Sequence, residues 1–205
     1  MPKEIVARGA EAILYLYKHN GKTMLVKERL KKSYRIPSLD NKIRTRRTKR
    51  EAKMLDKASR AGVPAPKVVE LEKTRIVMDF IDGKTVKESL NELPKKDRVR
   101  VCESIGEMIA VLHKNGMVHG DLTTSNMILK CRKLYFIDFG LGKFSQKIED
   151  QSVDMFLLYE ALKAAHFKYL NDNWQNILKI YRQNYTKAPE VLKRFEKISV
   201  RRRYK

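Results

Sequence analysis

The sequence predicts an α+β fold in two lobes, an antiparallel sheet with one helix followed by a reduced, mostly helical lobe. Two observations indicate this division. Short runs of strand-forming residues fill most of the first 80 residues, whereas apolar residues after position 85 recur at helical spacing. The segment Asp82-Gly83-Lys84 separates the two patterns and is expected to be a linker. We predict one domain with an N-terminal lobe at 1–80, a hinge at 79–84, a C-terminal lobe at 85–198 and a basic tail at 199–205.

Five runs predict the strands of the N-terminal sheet. They are EIVARG (4–9), AILYLYK (12–18), TMLVKER (23–29), KVVEL (67–71) and RIVMDF (75–80). Asn20-Gly21 predicts a two-residue hairpin turn between the second and third strands. A helix is expected at about 40–60, with Asp40 as its N-cap and Gly62 as its C-terminal stop.

The second lobe is predicted to contain four helices and one hairpin. Val101, Ile105, Ile109 and Leu112 form an apolar stripe that predicts a helix over 94–114. The hairpin consists of NMILK and LYFID, joined by a turn at 131–133. The remaining helices are expected at about 150–165, 171–185 and 188–198.

Composition excludes several classes of protein. There is no run of about 18 apolar residues and no secretory signal pattern, so we expect neither a membrane span nor export. Cys102 and Cys131 have no CxxC or histidine spacing, so both are expected to be reduced thiols in a cytoplasmic protein. Lysine and arginine total 45 against 24 acidic residues, which indicates either a solvated basic surface or a polyanionic partner such as nucleic acid.

Two motifs in the second lobe indicate phosphoryl transfer. VHGDLTTSNMIL (118–129) places Asp121 and Asn126 five residues apart, and IDFG (137–140) places Asp138 at a strand end. Transfer of a phosphoryl group from ATP requires oxygen ligands for Mg²⁺ and a carboxylate near the acceptor. The order and spacing resemble the H-R-D-x-x-x-x-N and D-F-G motifs of protein kinases. The resemblance implies a bilobal protein-kinase-like fold, with Asp121 as the catalytic carboxylate and Asn126 and Asp138 as metal ligands.

A kinase-like site also needs a lysine on the phosphates and a glutamate that positions it. Lys27 lies in the apolar part of the third strand, whereas Lys22 and Lys31 lie outside it. Glu51 falls on the inward stripe of the predicted 40–60 helix, where a carboxylate is costly to bury unless it is paired. We predict that Lys27 and Glu51 pair. The alternative is a solvated Glu51.

Two departures from the protein-kinase pattern are visible. The turn between the first two strands, ARGAEAIL, has one glycine where kinases have a glycine-rich loop. Only 65 residues follow Gly140, too few for the usual platform that grips a peptide substrate. The Ala-Pro-Glu at 188–190 lies beyond the next predicted helix, and it is better explained as a helix start.

The combination of HGDLTTSN, IDFG, GAEA and RTRRTKREAKML resembles the small atypical kinase subunit of the KEOPS complex, of archaeal type, and more distantly the Rio kinases. The resemblance implies an ATPase or atypical serine/threonine kinase that supports threonylcarbamoyladenosine modification of tRNA. It implies as partners the other KEOPS subunits, including a threonylcarbamoyl transferase that is sometimes fused to it, and tRNA. ATP and Mg²⁺ are the implied cofactors.

The resemblance also assigns positions in the nucleotide site. The loop is assigned to Gly9, Ala10, Glu11 and Ala12, and the phosphate contact to Lys27. The contacts to adenine are assigned to Met78, Asp79, Phe80 and Ile81. Asp154 is expected to accept hydrogen bonds from the catalytic loop, the alternative being an acid that favours a helix N-terminus.

Two basic clusters offer phosphate contacts, KIRTRRTKR at 42–50 and RRRYK at 201–205. The first is alternatively a solvated helix face. Two other functions stay open from the sequence. One is a non-catalytic scaffold that binds RNA and retains a nucleotide pocket. The other is a small-molecule phosphotransferase of the aminoglycoside type, which shares the HGD-x-x-x-x-N loop but has acceptor-binding insertions that are missing here.

Overall fold

The structure, a computed structural model, describes residues 4–19 and 21–203, with the side chains of 201–203 left out. It confirms the predicted α+β architecture. The strands of the described residues are β1 Glu4–Arg8, β2 Ala12–His19, β3 Lys22–Arg29, β4 Val68–Leu71, β5 Arg75–Asp79, β6 Lys84–Thr85, β7 Met117–Val118, β8 Met127–Lys130, β9 Lys133–Phe136 and β10 Lys143–Phe144. The helices are α1 Pro37–Arg60, α2 Val86–Ser89, α3 Lys95–Lys114, α4 Ile148–Ala165, α5 Leu170–Asn184 and α6 Ala188–Arg203.

The N-terminal lobe is a five-stranded antiparallel sheet in the order β1-β2-β3-β5-β4, packed against α1. Successive side chains of β3 point to opposite faces of this sheet. Met24 and Val26 join a small apolar cluster on one face. Lys27 and Arg29 are buried at alternate positions of the same strand. The pleat therefore brings two cations to one face of β3, and α1 supplies their partner.

Helix α1 begins three residues earlier than expected. Pro37 occupies its first turn, where the missing N–H of proline costs nothing, and Ile36 precedes the helix without a side-chain cap. The prediction that Asp40 is the N-cap was therefore wrong. Asp40 is buried one turn into the helix, where its Oδ2 accepts a hydrogen bond from Arg44 Nε at 2.7 Å. The predicted stop is present, because Gly62 follows the helix with a φ of 97°.

The last residue of the predicted linker, Lys84, belongs to the secondary structure of the second lobe. Lys84 pairs with Leu129, so β6 forms a three-stranded sheet with β8 and β9. Thr85 and Glu88 then cap α2 reciprocally. The main apolar core lies beneath this sheet, where α3 packs on α5 and α4 packs on α6. The prediction that Lys84 belongs to a linker was wrong.

The C-terminal helix is longer than the sequence suggested. Helix α6 continues to Arg203, five residues past the expected end at 198. The predicted basic tail is thus helical through Arg203, and its last two residues, Tyr204 and Lys205, lie outside the described residues, as does Asn20. His19 pairs with Lys22, which agrees with a two-residue turn. None of the helices in the described ranges combines the length and apolarity needed to cross a bilayer.

Candidate active site

The centre of the site is a buried carboxylate held by two cations. Lys27 Nζ lies 2.7 Å from Glu51 Oε1, and Arg29 Nη2 lies 2.5 Å from Glu51 Oε2. Glu51 is 1% exposed, and Lys27 and Arg29 are 8% and 7% exposed. A buried carboxylate is tolerated only when its oxygens are satisfied, and here each oxygen has its own charged donor. The expected contact between Lys27 and Glu51 is present.

Lys27 also contacts the second lobe. Its Nζ lies 2.5 Å from Asp138 Oδ1, in the loop that follows β9. Burial lowers the pKa of Lys27, but the charges of Glu51 and Asp138 outweigh it and raise the pKa above its usual value. Burial likewise raises the pKa of Asp138, and the Lys27 ammonium outweighs this effect, so the pKa falls below its usual value. Both groups are therefore charged at neutral pH.

Asp138 has an unusual backbone for a residue with a side chain. Its φ and ψ of 59° and 67° lie in the left-handed region, where non-glycine residues are uncommon. The conformation lets Asp138 Oδ1 accept a hydrogen bond from the amide of Gly140 at 3.1 Å. Backbone strain of this kind is concentrated at functional sites. The carboxylate is 45% exposed, so it is open to the cleft between the lobes.

Asp121 and Asn126 are brought together by a short 3₁₀ turn, Thr124–Asn126. Asn126 Nδ2 donates to the backbone carbonyl and to Oδ2 of Asp121, both at 2.9 Å. These bonds use the amide nitrogen of Asn126 and leave its Oδ1 as a possible ligand. They also fix one oxygen of Asp121 and leave the other, Oδ1, without a hydrogen bond among the described residues.

The residues fit a magnesium ion better than a transition metal. Mg²⁺ prefers oxygen and is usually held by one or two protein oxygens together with phosphates and water. Asn126 and Asp138 offer an amide oxygen and a carboxylate oxygen of this kind. In the described part of the chain no cluster of three or more His, Cys, Asp or Glu side chains could hold a metal by itself.

The loop that carries Asp121 is anchored to α4 by Asp154. Its two carboxylate oxygens accept hydrogen bonds from the backbone amides of His119, at 2.6 Å, and Gly120, at 2.8 Å. His119 Nε2 donates to the carbonyl of Ile137 at 3.0 Å, which ties this loop to the loop of Asp138. Burial lowers the pKa of His119, so the ring is neutral and acts as a brace. The contact expected of Asp154 is present.

Gly120 stands where the protein-kinase motif H-R-D has arginine, and the packing around it requires a glycine. Its φ of 79° is left-handed, and a Cβ placed there would lie 2.4 Å from the carbonyl oxygen of Leu141. Any larger side chain would displace the loop that carries Asp138. The glycine therefore allows the two loops to pack directly on each other.

Two features of the site escaped the sequence analysis. Arg29 follows Lys27 by two residues, and this period-2 spacing in a strand was the available signal. The other is a buried chain of polar groups behind Asp154. His113 Nδ1 lies 2.8 Å from Tyr181 OH, and His113 Nε2 lies 3.5 Å from Asp154 Oδ2. His113 and Tyr181 belong to no motif, so the sequence offered no signal for this contact.

The turn that was predicted to bind the nucleotide, residues 9–12, folds back on the N-terminal lobe. Gly9 N donates to the carbonyl of Ala12 at 3.0 Å, which closes the turn between β1 and β2. Lys32 Nζ donates to the carbonyl of Ala10, and Glu11 Oε2 accepts from Arg47 at 2.8 Å. The Glu11 side chain is thus engaged by α1.

The four residues assigned to the adenine contacts, 78–81, lie where β5 leaves the sheet. Met78 is buried and Asp79, Phe80 and Ile81 are half-buried. Asp79 N donates to the carbonyl of Lys67 at 3.0 Å. They connect the two lobes along one side of the cleft.

The chain is similar to proteins of known family. The family model described as RIO domain matches residues 11–191. The chain is 42% identical over 212 residues to the KEOPS complex subunit Bud32 of Pyrococcus abyssi, covering 98% of this chain and 96% of that protein. It is 38% identical over 208 residues to a probable bifunctional tRNA threonylcarbamoyladenosine biosynthesis protein of Methanosarcina mazei, covering 99% of this chain but 36% of the relative.

A solved structure supports the fold. The Rio2 kinase–ADP/Mg²⁺–phosphoaspartate complex from Chaetomium thermophilum aligns with a TM-score of 0.66 and 14% identity. The alignment covers 98% of this chain and 72% of that one. At this identity the likeness establishes the shared kinase-like fold.

Proposed function

The chain belongs to the RIO-domain family and, within it, to the Bud32 proteins, and we propose that it is an ATPase or atypical serine/threonine kinase that supports threonylcarbamoyladenosine modification of tRNA. The observation that carries the proposal is the Lys27 ammonium, which lies within 2.7 Å of carboxylates from both lobes. Such a group is positioned for a phosphate that enters the cleft between them.

Lys27 is proposed to hold the phosphates of ATP. Its ammonium is charged, because Glu51 and Asp138 raise its pKa. Glu51 orients it, and Arg29 keeps Glu51 in place from the other carboxylate oxygen. Lys27 can therefore turn toward a phosphate without leaving Glu51 unpaired.

Asn126 and Asp138 are proposed to hold Mg²⁺. The ion supplies positive charge that offsets the negative charge on the transferring group. Asp121 is proposed to orient the attacking oxygen and to accept its proton at the carboxylate oxygen that Asn126 does not engage. Asn126 keeps the Asp121 carboxylate in a fixed direction through its 2.9 Å hydrogen bond.

The remaining assignments concern binding of the nucleotide. Gly9, Ala10, Glu11 and Ala12 are proposed to cover the phosphates, and Met78, Asp79, Phe80 and Ile81 to contact the adenine. The turn at 9–12 has one glycine, so its backbone has less freedom than a loop with several.

The acceptor of the phosphoryl group is proposed to be water. Between the 3₁₀ turn at Phe139–Leu141 and the start of α4 at Ile148, the chain forms only the short strand β10, paired with β7. This segment offers little surface for gripping a peptide, which favours hydrolysis over phosphorylation of a protein.

The proposed setting is a cytoplasmic complex with tRNA. The Pyrococcus relative is named as a KEOPS subunit, and the Methanosarcina relative as bifunctional. This chain spans about a third of the latter. The proposed partners are accordingly the other KEOPS subunits, above all a threonylcarbamoyl transferase, and tRNA.

Product analysis tests the proposal. Radiolabelled ATP is supplied to the wild type and to Asp121→Asn, with and without purified transferase subunit and tRNA, and free phosphate and phosphoprotein are quantified. We expect free phosphate to dominate, and to fall about a hundredfold or more in the variant. Wild-type turnover no higher than the background of a reaction without protein would favour the scaffold function, in which the nucleotide pocket has no catalytic role, whereas equal turnover above that background would remove Asp121 from its proposed role.

A further inference from the structure

The outer face of α1 carries a continuous stripe of positive charge. Its members are spaced by three or four residues, which places them on one side of a helix. All are exposed, and they stand opposite the buried face that includes Glu51 and Leu55. We call this set the α1 stripe, and it consists of Lys42, Arg46, Lys49, Lys53, Lys57 and Arg60.

The α1 stripe and the basic motif at 42–50 consist of different sets of residues. Three arginines of the 42–50 motif do not belong to the α1 stripe, because they form contacts within the fold. Arg44 pairs with Asp40, Arg47 pairs with Glu11, and Arg50 Nη2 donates to the Gly140 carbonyl at 3.4 Å. The other three cations of the motif face outward, and the structure aligns them with three more from the second half of the helix.

Little negative charge balances the α1 stripe. Arg60 pairs with Asp56 at 3.0 Å, and the nearby Glu72 is engaged by Arg75. Among the described residues, the other five members form no ion pair. Like charges four residues apart destabilise a helix, and Lys42–Arg46, Lys49–Lys53 and Lys53–Lys57 are such pairs. An arrangement that costs the isolated chain stability is best explained by a partner that neutralises it.

The dimensions fit an extended polyanion. At 1.5 Å per residue, Lys42 and Arg60 are separated by about 27 Å along the helix. A small anion needs donors that converge on one point, whereas these cations form a row. Open grooves of about 1040 Å³ and 440 Å³ lie at the two ends of the row. In the second, Lys53 lies 5.4 Å from the ring of Phe144, which is 46% exposed and offers an aromatic face.

We propose that the α1 stripe docks the sugar–phosphate backbone of RNA, and its identification with tRNA rests on the proposed function. A protein partner is less favoured, because protein interfaces have an apolar core and the stripe has no apolar member. Contacts between lysine or arginine and phosphates need no such core. RNA on this face would lie on the far side of α1 from Glu51 and would leave the cleft open.

Two matched triple variants test the surface. Lys49→Gln, Lys53→Gln and Lys57→Gln together neutralise the middle of the stripe. Lys95→Gln, Lys96→Gln and Lys179→Gln together remove the same charge from exposed lysines on α3 and α5. The affinity for an unmodified tRNA transcript is measured across a salt series. No ATP is present, so the result is independent of whether the chain hydrolyses ATP. Thermal unfolding verifies that both variants fold.

The expected result is a specific loss in the stripe variant. Each lost phosphate contact should lower the log–log salt slope by roughly 0.7 to 0.9, so the loss of three contacts in the stripe variant should lower it by about 2 to 3 units and reduce affinity at low salt at least tenfold. The control variant should change affinity by less than about twofold and keep its slope. Equal losses in the two variants would mean that only total charge matters and would overturn the proposal. Unchanged binding by the stripe variant would also overturn it, leaving an acidic protein as the partner to seek.

Discussion

Lys27 Nζ and Asp138 Oδ1 lie 2.5 Å apart, although 111 positions separate the two residues in the chain. The contact joins β3 of the first lobe to the loop after β9 in the second. It therefore links the two walls of the cleft through opposite charges. A substrate phosphate bound in the cleft would replace Asp138 as a partner of Lys27, while Glu51 would stay in contact with Lys27.

The first prediction concerns Asp138→Asn. The amide keeps the shape and tolerates the left-handed backbone, but it removes the negative charge. We expect ATP turnover to fall about a hundredfold or more, because a proposed metal ligand loses its charge. Phosphate release over a Mg²⁺ titration measures this effect. Normal turnover in a folded Asp138→Asn protein would remove Asp138 from the proposed metal site.

The same variant should alter the dependence of stability on pH. The pKa of Asp138 is lowered from 3.8, so its contribution is present above that value and is lost as the pH falls through the folded pKa. The pKa of Lys27 is raised from 10.5, so its share is lost only at higher pH. Chemical denaturation should show wild type and variant differing by about 1 kcal/mol at neutral pH and converging in acid. A difference that does not shrink in acid would contradict the ion pair.

The second prediction ranks three substitutions in the buried cluster. Glu51→Gln leaves Arg29 and Lys27 without their shared charge and should cost about 3–5 kcal/mol in the free energy of unfolding. Lys27→Met should cost less, because Arg29 still neutralises Glu51. Arg29→Met should also cost less, because Lys27 remains on Glu51. Urea denaturation at neutral pH gives the order, and equal costs for all three would mean that the cations do not substitute for one another.

Activity gives an independent measure of the same pair. Lys27→Met and Glu51→Gln should each abolish most ATP turnover, and the double variant should lose little more, because the residues act as a unit. Fully multiplicative losses would indicate that the residues act separately.

The third prediction compares two left-handed glycines. Gly120→Ala places a Cβ 2.4 Å from the Leu141 carbonyl, whereas Gly21→Ala at a φ of 75° meets nothing within 4 Å. Gly21→Ala should cost about 1 kcal/mol for its backbone alone. Gly120→Ala should cost at least about 1 kcal/mol more, since the loop of Asp138 must also move. Thermal and chemical unfolding of the two variants measure the difference, and equal costs would mean that the loops accommodate the methyl group.

The sequence was most informative where a single physical demand selects the residue. A carboxylate on the inward stripe of α1 needs a counter-charge, and the chain offers Lys27 on a neighbouring apolar strand. That reasoning placed Lys27 and Glu51 together, and they lie 2.7 Å apart. The spacing of Asp121 and Asn126 similarly indicated one loop, and the structure joins them by hydrogen bonds.

The sequence was less informative where position depends on tertiary packing. Asp40 resembles an N-cap locally, yet the preceding Pro37 starts the helix and buries Asp40 beside Arg44. Six of the nine residues at 42–50 are basic. Only the orientation of α1 separates the three arginines that form contacts within the fold from the three cations that face outward. His113 and Tyr181 are 68 positions apart, so no local pattern could have paired them.

The fourth prediction concerns Asp154→Asn. Both carboxylate oxygens of Asp154 accept hydrogen bonds from backbone N–H groups of the loop that carries Asp121, and an amide can offer only one oxygen. Its NH₂ group would face an N–H donor, so the loop of Asp121 should shift. We expect turnover to fall at least tenfold while ATP affinity changes little, because no proposed nucleotide contact is altered. Asp150→Asn is the control on the same helix. It removes a surface ion pair with Lys143 that should contribute no more than about 1 kcal/mol, and the amide oxygen can still accept the hydrogen bond from Ser145 Oγ. Steady-state kinetics separate kcat from KM, and equal effects of the two substitutions would show that anchoring by Asp154 does not position the catalytic loop.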